Sequence, residues 1–280
     1  MSSPATPEPF ALEVEGRSLR GEATGEGPPI VLLHGLTASR RYVLHGSRAL
    51  PRRGFGVLAY DARGHGDSDP APEGQGYSYP ELIADLDRVL DALAGGRPAV
   101  LAGHSMETHT LAGFALAEPD RVAGIVAIGP AYAGVPSAED ELAYWDRLAD
   151  GLDRGGVDGF VDAYDHELDP QWRDVLLRIA RERLAVHRRP EAVARALREV
   201  PRSQPFEALS ELEFLDMPAL VVGSNDEADP GHPYATGERY AEALPRARLV
   251  TEEPGKSPLA WQGGQLSRVI AETAQRAGGR

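Results

Sequence analysis

The chain contains no cysteine. That absence excludes disulfides, Cys-ligated zinc and thiol catalysis, and it is compatible with a reducing, cytoplasmic setting. There is no apolar run of twenty residues, so no segment reads as a membrane span. Met1 to Pro9 is polar and proline-rich rather than basic and then apolar, so it is expected to be a frayed start and not a leader. Positive charge is also short. Against 29 Lys and Arg stand 43 Asp and Glu, a formal net charge of −14, which argues against nucleic acid and membranes as partners. Finally, no histidine follows His232.

The 280 residues are 42% hydrophobic, enough to bury one large core, or one core with an insertion. Phe10 to Glu15 and Arg17 to Ala23 read as a short hairpin around Gly16. Ile30-Val31-Leu32-Leu33 is a continuous apolar run, the mark of a central strand covered on both faces. It exits through His34-Gly35-Leu36-Thr37, at the carboxyl end where open α/β sheets place ligands. The Leu36 N–H could supply half of an oxyanion hole there, or the turn could be only a tight strand exit. Arg40 to Arg52 reads as a helix and Gly56 to Tyr60 as another buried strand. The loop Asp61 to Asp69 lacks the lysine of a phosphate-binding loop, and its charges are expected to fix the loop itself. Ser78-Tyr79-Pro80-Glu81 is a capping box opening a helix with Leu82, Leu86, Val89, Leu90 and Leu93 on one face. Val122 to Ile128 is a further strand. Alternating strands and helices specify an α/β fold, a mostly parallel sheet flanked by helices.

Between two of these elements stands Gly103-His104-Ser105-Met106-Glu107, after the apolar run Pro98 to Ala102 and before a helical pattern. A serine on a tight strand-to-helix turn exposes its hydroxyl above the sheet, and the next N–H, that of Met106, lies at a helix N-terminus. A buried turn serine is the plainer reading of so short a motif.

His34-Gly35, the Asp61 to Ser68 stretch and Gly103-His104-Ser105-Met106, in this order and spacing, resemble the α/β-hydrolase fold family. The likeness covers roughly residues 25 to 130 and 212 to 275. It implies a core of residues 1–129 and 210–280 and an inserted helical cap at 130–209. The aromatics of that insertion are expected to form its own core, and its arginine runs, Arg181-Glu182-Arg183 among them, a solvated helix face. It also implies a triad acid in the pattern Gly223-Ser224-Asn225-Asp226, with Asp229 the weaker candidate or a turn aspartate as the plain alternative. The family's triad histidine falls in Gly255-Lys256-Ser257-Pro258, where this chain has Lys256.

A serine hydroxyl needs a base, and an acid to orient that base. His232 could swing in from its Gly/Pro-bounded loop; an imidazole, ordinarily titrating near 6.5, needs no tuning at neutral pH. Lys256 could serve, as in a Ser–Lys dyad, if an ammonium were depressed by roughly three units. His104 or His109 lie near in sequence, though the elbow points His104 away. The chain could also have no acyl-enzyme chemistry. Glu107 is a second departure, standing where the family has a small residue. An unpaired anion about 6 Å from an oxyanion would oppose it by on the order of 3 kcal/mol at an effective dielectric near 20. Either Glu107 is protonated, or it is paired, with Lys256 as a candidate, or no oxyanion forms.

The expectation is therefore an enzyme with no cofactor and no metal, acting on an ester, thioester or other acyl bond of a small-molecule or carrier-bound substrate. Ser105 is the nucleophile, Asp226 the orienting acid, His232 the favoured base, and the Leu36 and Met106 N–H groups the oxyanion hole. His34, Glu107 and Lys256 would line the site. The rival is a family member that has lost hydrolysis and binds, cyclises or eliminates a small molecule.

Overall fold

The apolar runs read as strands lie side by side in one sheet. The computed structural model describes residues 6–252 and 261–278. The strands are β1 (Glu8–Val14), β2 (Arg17–Thr24), β3 (Pro29–Leu33), β4 (Gly56–Tyr60), β5 (Ala99–His104), β6 (Val122–Ile128), β7 (Ala219–Val222) and β8 (Ala247–Val250). Their spatial order is β1-β2-β4-β3-β5-β6-β7-β8. The pairs β1–β2 and β2–β4 are antiparallel and the rest parallel, so the carboxyl ends of β3 through β8 share one edge. Between and after them run α1 (Ala49–Arg52), α2 (Tyr79–Leu93), α3 (Met106–Ala117), α4 (Glu139–Tyr164), α5 (Arg173–Leu184), α6 (Pro190–Glu199), α7 (Tyr234–Ala243) and α8 (Gly263–Gly278).

The continuous apolar runs are explained by burial on both faces. In β3, Val31 and Leu33 meet α2 and α3 through Leu86, Val89, Leu111 and Phe114. Ile30 and Leu32 face the other way, toward Leu50 of α1 and Leu266 and Ile270 of α8. The capping box closes as read, with the Ser78 N–H donating to Glu81 Oε2 at 2.7 Å.

The helix expected over Arg40 to Arg52 does not form as one element. A single turn at Arg40–Tyr42 and the short α1 are separated by His45 and Gly46, which take φ of 46° and 75°. Arg40 is drawn away instead: its N–H donates to Asp61 Oδ1 at 2.8 Å and its guanidinium ion-pairs with the same buried carboxylate.

Residues 130–209 contain no strand. α4 reverses at Gly156 (φ 59°, ψ −143°), and its halves meet so closely that a Cβ on Gly159 would lie 2.2 Å from the Gly151 carbonyl oxygen. Leu148, Leu152 and Phe160 of α4, Leu184 of α5 and Leu197 of α6 bury one cluster together with Leu36 and Met106. These helices thus pack at the carboxyl ends of β3 and β5. Among the described residues no helix is long and apolar enough to cross a membrane.

Candidate active site

Ser105 sits between β5 and α3 with φ 52° and ψ −118°, a conformation a side chain adopts only under constraint. Its N–H donates to the Ile128 carbonyl at 2.9 Å, which pins the turn to the end of β6. Two glycines make room. A Cβ on Gly103 would lie 2.5 Å from the Glu107 carbonyl oxygen, and one on Gly35 would lie 3.2 Å from the Ser105 Cβ. The turn after β3 is therefore pressed against the serine. Met106 is the first residue of α3, so its N–H has no intrahelical acceptor.

His34 holds that turn in place rather than facing an open site. Its Nδ1–H donates to the Gly35 carbonyl and its Nε2 accepts the Ala62 N–H, each at 2.9 Å. Burial, against the nearby Asp61 charge, lowers its pKa and keeps the ring neutral. Beyond it, Asp61 collects the N–H groups of Arg40 and Asp67, and the Ser68 hydroxyl donates to the Asp61 carbonyl at 2.6 Å. The loop charges are held from outside the loop as well as within it, Asp61 and Asp67 by Arg40 and Arg63 by Asp85 of α2.

Glu107 is 2% exposed, and its Oε2 has no hydrogen-bond partner among the described residues. Burial, reinforced by the Asp85 charge, raises its carboxyl to about 8. Of the alternatives above, the protonated one fits: a neutral carboxyl does not oppose an oxyanion. Lys256, its candidate partner and a candidate base, lies outside the described residues. The folded chain binds more protons than the unfolded one between the ordinary 4.5 and about 8. Stability from this group is thus full below the lower value and lost as pH rises through the upper one. Glu107→Gln should remove that dependence. Relative to the unmodified chain it should gain on the order of 2 kcal/mol between pH 5 and pH 8, after discounting for relaxation around the ion. Urea denaturation at the two pH values measures this, and parallel behaviour of the two proteins would contradict it.

The histidines near the serine have unequal freedom. His109 Nε2 accepts the N–H groups of Ala131 and Tyr132 at 3.0 and 2.9 Å, and Nδ1 bonds the Tyr79 hydroxyl at 2.8 Å. With both nitrogens engaged and burial lowering its pKa to about 3, it is a structural histidine. His104 is likewise driven to about 3, by burial first and then by His232 and Arg183. Its ring packs on that of His232, with centroids 5.2 Å apart. His232 also lies against Gly129, just past β6, where an added Cβ would be 3.3 Å from its Cδ2.

His232 Nδ1 faces both carboxylate oxygens of Asp229, at 2.8 and 2.7 Å. Burial alone would raise the Asp229 carboxyl, but the charge and hydrogen bond of His232, with His104 and Arg183 beyond, hold it below the ordinary range. Asp226, the acid expected from the family pattern, also accepts a bond within its own loop. Its Oδ1 accepts the Ala228 N–H at 2.8 Å, closing the turn, and burial raises its carboxyl.

Two residues escaped the sequence reading. Glu252 accepts from Ser224 Oγ, the Asn225 N–H and Trp261 Nε1 at 2.8, 2.7 and 3.0 Å, and so fixes the loop carrying Asp226. The arginine run containing Arg183 is expected on a solvated helix face. Arg181 of that run is indeed on one, paired with exposed Asp158. Arg183 instead turns inward, donating from Nη2 to the Leu36 carbonyl at 3.1 Å and to Thr37 Oγ1 at 2.9 Å. Among the described residues no cluster of three His, Asp or Glu side chains could hold a metal ion.

This sheet order, with a strained serine between a central strand and its helix, defines a class, and the chain belongs to it: residues 28–263 match the family described as alpha/beta hydrolase fold. Among curated relatives it is 38% identical over 109 residues to epoxide hydrolase B of Mycobacterium tuberculosis, covering 39% of this chain and 30% of that one. It is 40% identical over 108 residues to the sn-1-specific diacylglycerol lipase ABHD11 of Xenopus tropicalis, covering 38% and 33%. The matched region thus spans about a third of the length of these relatives. The enol-lactonase of Burkholderia xenovorans superposes with a TM-score of 0.72 at 25% identity, over 95% of this chain and 97% of that one.

Proposed function

We propose that this chain is a cofactor-independent serine hydrolase acting on an ester, thioester or comparable acyl bond, beneath a lid formed by residues 130–209. Ser105 Oγ attacks the acyl carbon while His232 Nε2 takes its proton. Asp229, rather than Asp226, holds the imidazole with its proton on Nδ1, the tautomer a general base requires. The N–H groups of Leu36 and Met106 receive the oxyanion, His232 returns the proton to the leaving group, and water then releases the acyl group. The observation that carries this reading is the Asp229–His232 pair, whose ring packs on His104, the residue directly before Ser105. Hydrolase names among the relatives support the reaction class. Access of water decides between hydrolysis and acyl transfer.

Rapid mixing with excess 4-nitrophenyl acetate, acid quench and intact mass measurement should find one acetyl group per chain, located on Ser105. Turnover with no adduct on Ser105 would contradict the covalent mechanism. No turnover and no adduct would favour a relative that binds, cyclises or eliminates.

A further inference from the structure

Among the described residues Arg183 is a cation beside the proposed site with no ion-pair partner. Most buried or half-buried arginines here face carboxylates: Arg17 and Arg63 meet Asp85, Arg40 meets Asp61, and Arg121 meets Asp87. Arg183 forms no ion pair among the described residues. Its Nη2 spends its hydrogen bonds on two neutral oxygens, Leu36 O and Thr37 Oγ1. Its Nε is shut from solvent with no partner, and Nη1 donates to no described group. The carboxylate that bears on it is Asp229, already committed to His232. The residue is half-buried, and a guanidinium partly withdrawn from water without a counter-charge carries a cost that is recovered when an anion binds it.

Its position says which anion. The guanidinium is anchored on the carbonyl of Leu36, the residue whose N–H is the proposed oxyanion donor. It also bears electrostatically on His104, next to Ser105, and on Tyr164 and Tyr42 around it. The side chain comes from α5, within the segment read as the lid, and reaches the turn after β3. With Nη2 engaged and Nε shut from solvent, Nη1 is the nitrogen left to donate to a carboxylate oxygen.

We propose that Arg183 is a substrate-binding residue that takes a carboxylate carried on the acyl portion of the substrate, so that the preferred substrates are half-esters or half-thioesters of short dicarboxylic acids. The proposal rests on the serine-hydrolase reading for its bond cleavage, and on Arg183 alone for its anion. A hydrogen bond to Leu36 O that merely braced the oxyanion turn would serve charged and neutral substrates alike.

The test compares 4-nitrophenyl hydrogen glutarate with 4-nitrophenyl pentanoate, of equal acyl length, and measures glutarate binding by calorimetry, which needs no turnover. The unmodified protein should favour the charged ester by about 30-fold or more in kcat/KM. Arg183→Gln should erase the preference, with KM for the charged ester rising more than KM for the neutral one, and weaken glutarate at least tenfold. Arg183→Lys should keep part of the preference, and it is read in place of the glutamine variant if that one does not fold. Equal use of the two esters, or glutarate binding indifferent to both variants, overturns the proposal and leaves the hydrolase reading standing. Arg183-dependent glutarate binding without turnover of either ester upholds the anion site and removes the hydrolase reading.

Discussion

Asp229→Asn should lower kcat for ester hydrolysis by about 10²–10⁴-fold, while Asp226→Asn should cost less than about tenfold. The two aspartates are three residues apart on one loop, and their oxygens do different work. Both Asp229 oxygens lie within 2.8 Å of His232 Nδ1, whereas Asp226 Oδ1 accepts the Ala228 N–H in its own turn. An amide at 229 can present N–H toward Nδ1 and so stabilise the tautomer whose Nε2 carries the proton. That imidazole cannot accept a proton from Ser105. The loss should therefore fall on kcat, with KM nearly unchanged. Steady-state kinetics on a short 4-nitrophenyl ester, with circular dichroism to show that both variants are folded, decides the matter. The reverse ranking would return the acid's role to Asp226.

Asp85→Ala should destabilise the fold by about 3–5 kcal/mol, because it strands two buried cations. Asp85 on α2 receives Arg63 Nε and Nη2 at 2.7 and 2.9 Å and also the guanidinium of Arg17 from β2. All three side chains are 2% exposed. Arg63 further donates to the carbonyls of Gly76 and Glu81, each at 2.8 Å, so one carboxylate ties the sheet, the loop after β4 and α2 together. In a chain of this size the loss is on the order of a 10 °C fall in Tm. The folded fraction should keep its ester activity within about threefold, since the network touches neither Ser105 nor His232. A stability change under about 1 kcal/mol by urea denaturation would mean that the two guanidinium groups find other partners.

Much of this architecture was legible because its causes are local. Ile30 to Leu33 and Val122 to Ile128 read as central strands, since a parallel strand covered on both faces needs an apolar residue at each position. Ser105 read as an elbow because Gly103 leaves room for the following helix. What was not legible depends on distant elements. The family spacing favours Asp226 over Asp229, but it says nothing of the Asp229–His232 pair, which depends on where the loop after β7 sets its turn. His109 is close to Ser105 in sequence, yet its nitrogens are consumed by Tyr79, Ala131 and Tyr132, which come from other elements. Arg183 alternates with outward-facing Arg181 and Glu182, and only the placement of α5 over the Leu36 turn turns it inward. The helix expected from Arg40 failed for the same reason: a buried Asp61 competes for its first residue.

The proposed mechanism makes Ser105 a nucleophile served by His232 in a chain whose usual base position holds Lys256, its one lysine. The most direct measurement is the rate of covalent labelling by a fluorophosphonate, read by peptide mass spectrometry, in the unmodified protein, His232→Ala and Lys256→Ala. Labelling should be confined to Ser105, slowed by about 10²-fold or more in His232→Ala and by less than about threefold in Lys256→Ala. Labelling that survives His232→Ala and collapses in Lys256→Ala would contradict the mechanism, as would an unmodified protein whose Ser105 does not react.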